Sequence, residues 1–182
     1  QAFTKDAKTD FTVQLQKVKK AGADVVFLPI YYQEAALILS QAQSVGLDVT
    51  YFGCDGLDGL IDQLGDNEKL AEGVMLLTPF AADADNEDVQ KFTEAYKEAY
   101  NNETPNQFAA DAYDAIYIIK AAIEKAGATP DMSVSDLCEA LKQAMVEIEV
   151  TGVTGTMTWD ASGEPTKTPR AMVIKDGAYS AV

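Results

Sequence analysis

Two short apolar runs with a helical stretch between them constrain the fold of this chain most strongly. The first run covers residues 25–30 and is followed by Tyr31, and the second covers residues 49–52 and is followed, after two residues, by Asp55. Runs of this kind are typical of buried parallel strands, and with the intervening helix they predict one β-α-β unit. Because neighbouring parallel strands end at the same edge of a sheet, Tyr31 and Asp55 are expected side by side, where open α/β sheets bind small ligands.

An acid beside tyrosines suits a small ammonium group. The carboxylate offers a charge-assisted hydrogen bond, and the rings can add cation–π attraction. The candidate ligand-binding residues are Tyr31, Tyr32, Cys54 and Asp55. Structural alternatives stay open for them. Successive residues leaving a strand point to opposite sides, so one or both tyrosines could simply pack over the strand end. Asp55 could instead cap the turn that follows it.

The periodicity extends this unit into a longer alternating block. Asp10 is a predicted N-cap for a first helix that Gly22 can end, and Gly46 is a predicted C-cap for the helix between the apolar runs. A third buried strand is predicted over residues 73–78. The first 78 residues therefore form a helix-strand-helix-strand-helix-strand block, typical of half of a doubly wound α/β domain.

The pattern changes after Pro79. Residues 80–86 are predicted to form a linker or hinge, and apolar stripes then mark a helix over residues 86–101. A longer helix, marked by Ile116 among other apolar residues, ends at Gly127. The apolar residues on it are Phe108, Ala109, Ala112, Ile116, Ile119 and Ile123.

A third helix of this region and a strand-rich tail follow. Ser133 is a predicted N-cap for the helix. Residues 153–159 and 170–175 are predicted strands on either side of a turn at 160–163. Asp176 and Gly177 predict a second tight turn before the last residues.

Charge and composition exclude several functional classes. The formal net charge is −15, from 29 acidic and 14 basic residues, so binding to nucleic acids or to anionic membrane surfaces is not expected. No apolar run approaches the roughly 20 residues that cross a membrane. The chain has no histidine, which removes the Ser-His-Asp and Cys-His catalytic arrangements and the commonest transition-metal ligand.

Recognised catalytic and cofactor motifs are also missing. The sequence has no G-x-S-x-G elbow, no P-loop and no G-x-G-x-x-G fingerprint. We therefore expect a protein that is not an enzyme, with no catalytic residues, no cofactor and no metal site. Cys54 and Cys138 are too few for a disulfide scaffold and are expected to be free, although a bridge stays open if the fold brings them together.

Short motifs in a fixed order carry a resemblance to a known family. They are Thr9-Asp10-Phe11, Asp24-Val25-Val26-Phe27, Tyr31-Tyr32-Gln33-Glu34-Ala35, Gln41-Ala42, Gly46, Gly53-Cys54-Asp55-Gly56, Glu72-Gly73-Val74, Gly152-Val153-Thr154-Gly155, Trp159-Asp160 and Gly163. With these motifs the chain resembles the C-terminal half of the substrate-binding proteins of ABC transporters for leucine, isoleucine and valine. Those proteins have the type I periplasmic binding fold.

The resemblance implies an α/β architecture of two lobes joined by three crossing strands, with parallel sheets flanked by helices and a C-terminal β-hairpin. Residues 1–79 would belong to the second ligand-binding lobe, residues 80–150 would return to the first lobe, and residues 151–182 would be closing strands that cross between lobes. In the family, the tyrosine and the acid at the positions of Tyr31 and Asp55 contact the α-ammonium of the ligand. Cys54 departs from the residue expected before the acid.

The implied function is capture of an amino acid, branched-chain or otherwise aliphatic, for an ABC importer whose permease is the membrane partner. The implied location is the periplasm or the extracellular surface, with lipid anchoring left open. An alternative within the same fold is a receptor domain that senses a ligand and signals rather than transports. A hydrolase or a sugar-processing enzyme is disfavoured by the missing histidine and nucleophile motif.

The start of the chain predicts that it is a fragment. Residues 1–4 have neither the basic head nor the apolar core of a signal peptide, and the first predicted helix has no strand before it. In the family, the ligand carboxylate is bound by the N-terminal half. A chain without that half would expose apolar faces, which usually find a partner. We therefore expect the fragment to be dimeric or to exchange segments with a second copy.

Overall fold

The predicted β-α-β unit is present in the computed structural model, which describes residues 1–182. Strand β1 (Val25–Leu28) is followed by helix α2 (Tyr32–Val45) and strand β2 (Thr50–Gly53), and the two strands pair in parallel. The expected C-cap is confirmed, since Gly46 ends α2 in the left-handed region at φ 64°.

The chain divides into two compact units. Unit 1 comprises residues 1–78 and 170–182, and unit 2 comprises residues 79–169. The assignment of segments to two lobes stays a prediction. None of the helices is both long and apolar enough to span a membrane.

Unit 1 is a sheet of five strands with helices α1 to α3. The strand order is β1-β2-β3-β6-β7, in which β1 to β3 run parallel and β6 and β7 pair antiparallel. The other elements are α1 (Thr12–Lys20), α3 (Leu60–Leu64), β3 (Met75–Thr78), β6 (Arg170–Lys175) and β7 (Ala178–Ala181), with 3₁₀ segments at Asp55–Leu57 and Gly65–Ala71.

Helix α1 begins close to the predicted cap. The Oδ1 atom of Asp10 accepts a hydrogen bond from the backbone N–H of Thr12 at 2.9 Å. Phe11 and Leu15 are buried. The last turn carries three lysines, whose positive charges interact favourably with the negative C-terminal end of the helix dipole. The helix is therefore fixed both by its apolar face and by its ends.

The two faces of the sheet in unit 1 differ in burial. On one face Leu28, Leu76, Met172 and Ile174 are buried, and they form part of the apolar interior of this unit. The opposite face has no buried residue, and its one charged residue is Lys175 at the end of β6. Its members are Val25, Phe27, Thr50, Phe52, Met75, Leu77, Ala171, Val173, Lys175, Ala178 and Ser180.

This open face corrects one expectation about β1 and β2. The apolar runs were predicted to be buried strands, but Phe27 is 53% exposed and stacks on Phe52 with ring centroids 5.7 Å apart. An apolar run predicts a strand with two apolar faces, but it does not reveal whether both faces are covered in this chain.

Unit 2 contains three helices and a short hairpin. Its elements are α4 (Glu87–Ala99), α5 (Gln107–Ala126), α6 (Val134–Met145), β4 (Val150–Gly152) and β5 (Gly155–Met157). Phe80, Val89, Phe92, Ala110 and Val153 form a buried cluster. The predicted cap of α6 is confirmed, because Ser133 Oγ accepts from the backbone N–H of Asp136 at 3.1 Å.

The apolar stripe of α5 lies largely at the surface. Ile116 is 67% exposed, and Ile119 and Ile123 are also exposed. The apolar stripe predicted the helix correctly. Within this chain, however, these isoleucines are not buried against another helix or strand.

The predicted pairing of the tail is wrong in one respect. Residues 155–157 pair with residues 150–152, whereas residues 170–175 pair with β3 and β7 in unit 1. The turn at residues 160–163 closes only a short antiparallel bridge between Trp159 and Pro165, and it does not pair β5 with β6. The second turn is confirmed, since Asp176 and Gly177 adopt φ 53° and 74° between β6 and β7.

Candidate functional site

The ends of β1 and β2 lie next to each other, with Leu28 opposite Gly53. Tyr31 follows β1 as the extended N-cap residue of α2, at φ −89° and ψ 160°. Asp55 follows β2 as the first residue of a 3₁₀ turn. Both residues therefore lie beyond the carboxyl ends of adjacent parallel strands.

A backbone contact brings the two loops together. A Cβ atom placed on Gly56 would lie 2.5 Å from the carbonyl oxygen of Ile30 and 3.5 Å from the Cα atom of Tyr31. The residue after Asp55 thus packs against the residue before Tyr31. This contact brings Tyr31 and Asp55 to one edge of the sheet, as the parallel pairing predicted.

The two central candidates differ from their neighbours in exposure. The Tyr31 side chain is 61% exposed, and Asp55 is also exposed. Tyr32 and Cys54 are half-buried. Solvent therefore reaches Tyr31 and Asp55 more freely than the residues beside them.

Tyr32 packs against the same loop. A Cβ atom on Gly59 would lie 3.3 Å from Cδ1 of the Tyr32 ring. This contact is of the kind expected if Tyr32 packs against the protein instead of contacting a ligand. Cys54 and Cys138 are both free thiols.

The carboxylate of Asp55 is oriented by the turn that it opens. Its Oδ1 atom accepts a hydrogen bond from the backbone N–H of Gly56 at 3.0 Å. The turn itself closes through the N–H of Leu57, which donates to the carbonyl oxygen of Cys54 at 3.1 Å. Asp55 is thus the first residue of the turn, whose N-cap, Cys54, makes no side-chain capping bond, while the Asp55 side chain stays at the surface.

Glu34 is the other acid close to Tyr31 in sequence, and it is engaged in an ion pair. Lys8 Nζ lies 2.6 Å from its Oε1 atom, and the Glu34 side chain is buried. The hydrogen bond from Lys8 lowers the pKa of Glu34 below its usual value. Glu34 therefore serves to fix α2 and the segment before α1.

Tyr179, which the sequence did not identify as important, anchors the far end of the loop that begins at Asp55. The hydroxyl oxygen of Tyr179 accepts hydrogen bonds from the backbone N–H groups of Gly59 and Leu60, each at 3.0 Å. Burial, with the charge of Asp58, raises the pKa of Tyr179 to about 12. The only signal in the sequence was the turn at 176–177, which places Tyr179 in the last strand.

Asp114 in unit 2 was also missed. It is 2% exposed, and its carboxylate accepts from the N–H of Val153 at 2.9 Å and from the N–H and Oγ1 of Thr154 at 2.8 and 2.6 Å. A Cβ atom on Gly152 would collide with its Oδ1 atom. This buried acid stabilises the turn between β4 and β5. No sequence motif around Asp114 predicts this role.

The α/β fold of unit 1, with its mostly parallel sheet and helices, agrees with the family that the whole sequence matches. The sequence profile of a family described as "Periplasmic binding protein" matches residues 1–178. The chain belongs to this periplasmic binding protein family. An extracytoplasmic location follows from membership of the family.

Similar proteins in the family share its fold and are named for amino-acid binding. A "Leucine-, isoleucine-, valine-, threonine-, and alanine-binding protein" of Pseudomonas aeruginosa is 31% identical over 155 residues, which cover 85% of this chain and 39% of that protein. The crystal structure of the leucine-binding protein LivK of Thermotoga maritima matches with a TM-score of 0.81 and 28% identity, over 100% of this chain and 50% of that chain.

A third relative has a bound ligand. The substrate-binding protein LivJ of the branched-chain amino acid transporter of Streptococcus pneumoniae, in complex with isoleucine, matches with a TM-score of 0.80 and 28% identity. The match covers 98% of this chain and 49% of LivJ. This chain therefore spans half, or less, of the length of the relatives it matches. Over this length it is similar in sequence and in fold to LivJ and LivK, which confirms the family resemblance.

Proposed function

We propose that this chain is the amine-recognising part of a solute-binding protein that delivers an aliphatic amino acid, in the first place a branched-chain one, to an ABC importer. The observation that carries the proposal is the contact of Gly56 with Ile30, because it brings Tyr31 and Asp55 to one sheet edge. The names of the relatives, which refer to leucine, isoleucine and valine, support the choice of ligand.

In this proposal Asp55 binds the α-ammonium group of the ligand through a charge-assisted hydrogen bond. The exposed ring of Tyr31 lies beside it and adds cation–π attraction. Cys54 and Tyr32 shape the pocket from the strand end and the helix start. Ligand binding would favour a closed arrangement of the two lobes, which the permease in the membrane then recognises.

Binding of this kind requires no bond to be made or broken. We therefore propose a binding protein without catalysis, cofactor or metal. The segments 1–79, 80–150 and 151–182 would contribute to the second lobe, the first lobe and the crossing strands. The whole protein would act in the periplasm or at the cell surface.

Replacement of Asp55 tests the proposal. In the full-length protein, Asp55→Ala is expected to weaken leucine binding by about 2–5 kcal/mol, because the ligand ammonium loses its charged partner. That is roughly 30-fold to several thousand-fold in Kd by titration calorimetry. Asp62→Ala, which removes an exposed acid from α3, is the control and should change Kd little. An unchanged Kd for Asp55→Ala would remove Asp55 from the site.

We also propose that the 182-residue chain by itself associates with a second copy through the open face of its sheet. Charged residues make up 24% of the sequence, yet of the eleven positions of this face only Lys175, at the end of β6, is charged. A flat apolar face of this kind can pack against its own copy as two aligned sheets. The net charge of −15 opposes association at low salt, so the dimer should strengthen as salt screens the charge.

Light scattering measures this association. The wild-type chain should have a mass above 19.6 kDa that rises with salt, and Phe27→Ser should lower it towards the monomer. Val13→Ser, at an exposed position on α1 away from this face, should leave the mass unchanged. A monodisperse wild-type monomer at all salt concentrations contradicts the association.

A further inference from the structure

We propose that Gly56 is a positioning residue, which sets the separation between Tyr31 and Asp55 and thereby the selectivity of the site for an amino group. The inference rests on the proposed function of these two residues. It assigns a role to a residue that carries no functional side chain of its own.

Only glycine fits the contact at position 56. A Cβ atom there would lie 2.5 Å from the carbonyl oxygen of Ile30 and 3.2 Å from its carbonyl carbon. Both are backbone atoms, so no side chain can rotate away to make room. A methyl group at this position must push one loop away from the other.

The backbone conformation of Gly56 does not itself demand glycine. Its φ lies outside the left-handed region, in contrast to Gly59 at φ 102°. An alanine at position 56 therefore meets no torsional strain. The cost of the substitution comes from the contact with Ile30 alone.

The orienting hydrogen bond survives the same substitution. The N–H of Gly56 donates to Asp55 Oδ1 at 3.0 Å, and an alanine keeps this N–H group. Gly56→Ala thus preserves the acid, its charge and its donor, and changes only where the acid sits relative to Tyr31. This makes the variant a selective probe of position.

The neighbouring glycines of the loop contact other parts of the unit. A Cβ atom on Gly53 would collide with the side chain of Leu57, and one on Gly59 would meet the ring of Tyr32. Only Gly56 lies against the backbone of Ile30 and Tyr31. The geometry therefore assigns the Tyr31–Asp55 separation to Gly56.

The test compares two ligands with the same carbon skeleton in the full-length protein. Leucine carries the amino group, and 4-methylpentanoate lacks it. In calorimetry, Gly56→Ala should raise the Kd of leucine by roughly 10- to 100-fold, because a displaced acid no longer meets the ammonium. The Kd of 4-methylpentanoate should stay within about threefold, so amine selectivity falls.

Two controls separate positioning from a general loss of structure. Gly22→Ala introduces torsional strain at φ 66° with no atom within 4 Å, and it should leave both Kd values unchanged. In an Asp55→Asn background, Gly56→Ala should cause no further loss of selectivity, since the two residues act on one interaction. An equal loss for both ligands in Gly56→Ala, or no loss for either, overturns the inference.

A second readout needs neither a ligand nor a folded variant. In the NMR spectrum of the wild-type protein, an α proton of Gly56 should give a nuclear Overhauser effect to the α proton of Tyr31. Its absence overturns the positioning role. Wild-type protein that shows this effect but binds leucine no better than 4-methylpentanoate instead contradicts the proposed function.

Discussion

Asp114 and Asp55 both accept hydrogen bonds from the backbone of a turn, yet they differ in burial. Asp114 is 2% exposed and accepts three hydrogen bonds, from Val153 and Thr154. Asp55 is exposed and accepts from the N–H of Gly56. Each lies next to a glycine contact too close for a side chain, at Gly152 and at Gly56.

The difference indicates how one residue type takes two roles. A buried carboxylate must have its hydrogen bonds supplied by the protein, so Asp114 serves the fold. The exposed carboxylate of Asp55 is accessible from solvent, so the ammonium group of a ligand can reach it. Burial and surrounding donors, more than the presence of an acid after a strand or on a helix, separate the two cases.

The largest expected difference between Asp114 and Asp55 is in their contribution to the free energy of unfolding. Asp114→Ala should lower the free energy of unfolding by about 3–5 kcal/mol, because the N–H groups of Val153 and Thr154 become buried without acceptors. Asp55→Ala should change it by less than about 1 kcal/mol. Urea unfolding followed by far-UV circular dichroism reports on both units, and the fluorescence of Trp159, the single tryptophan, reports on unit 2.

Asp160 is the matched control for burial. It also accepts three hydrogen bonds, from the N–H and Oγ of Ser162 and the N–H of Glu164, at 2.8, 2.6 and 3.1 Å. It lies at the surface, so water can replace it as the acceptor. Asp160→Ala should therefore cost much less than Asp114→Ala. Equal losses would show that burial does not distinguish these aspartates.

A smaller effect on stability is expected from Tyr179, whose uncharged hydroxyl group anchors the loop that follows Asp55. Burial raises the pKa of Tyr179 to about 12, above the value near 10 of an unfolded tyrosine. The folded state therefore holds this proton more tightly. The resulting stability is complete below about pH 10 and is lost as the pH rises towards 12, by at most about 2–3 kcal/mol.

Tyr179→Phe isolates this contribution. The variant should start less stable, because the N–H groups of Gly59 and Leu60 lose their acceptor. Its free energy of unfolding should then fall less than that of the wild type between pH 10 and pH 12, as measured by chemical denaturation. Parallel curves for the two proteins would show that Tyr179 does not titrate in this way.

Local signals predicted much of the fold. Gly46 and Ser133 end and begin helices by chemistry that is confined to a few residues, and the Asp176–Gly177 turn is equally local. The β-α-β unit followed from the apolar runs. These features need no knowledge of distant parts of the chain.

Features that depend on distant residues could not be predicted. The hairpin of β4 and β5 is held by Asp114, which is 39 positions away from Val153 in sequence. Tyr179 reaches Gly59 across 120 positions. For the candidate site, parallel pairing predicted that Tyr31 and Asp55 share an edge, but the closeness set by Gly56 appears only in the structure.

The most direct test of the account is a crystal structure of the full-length protein with leucine bound. In the proposed site the leucine nitrogen lies about 2.7–2.9 Å from a carboxylate oxygen of Asp55, with the ring of Tyr31 beside it. A leucine nitrogen bound by other groups, with the Asp55 carboxylate facing solvent, would contradict it.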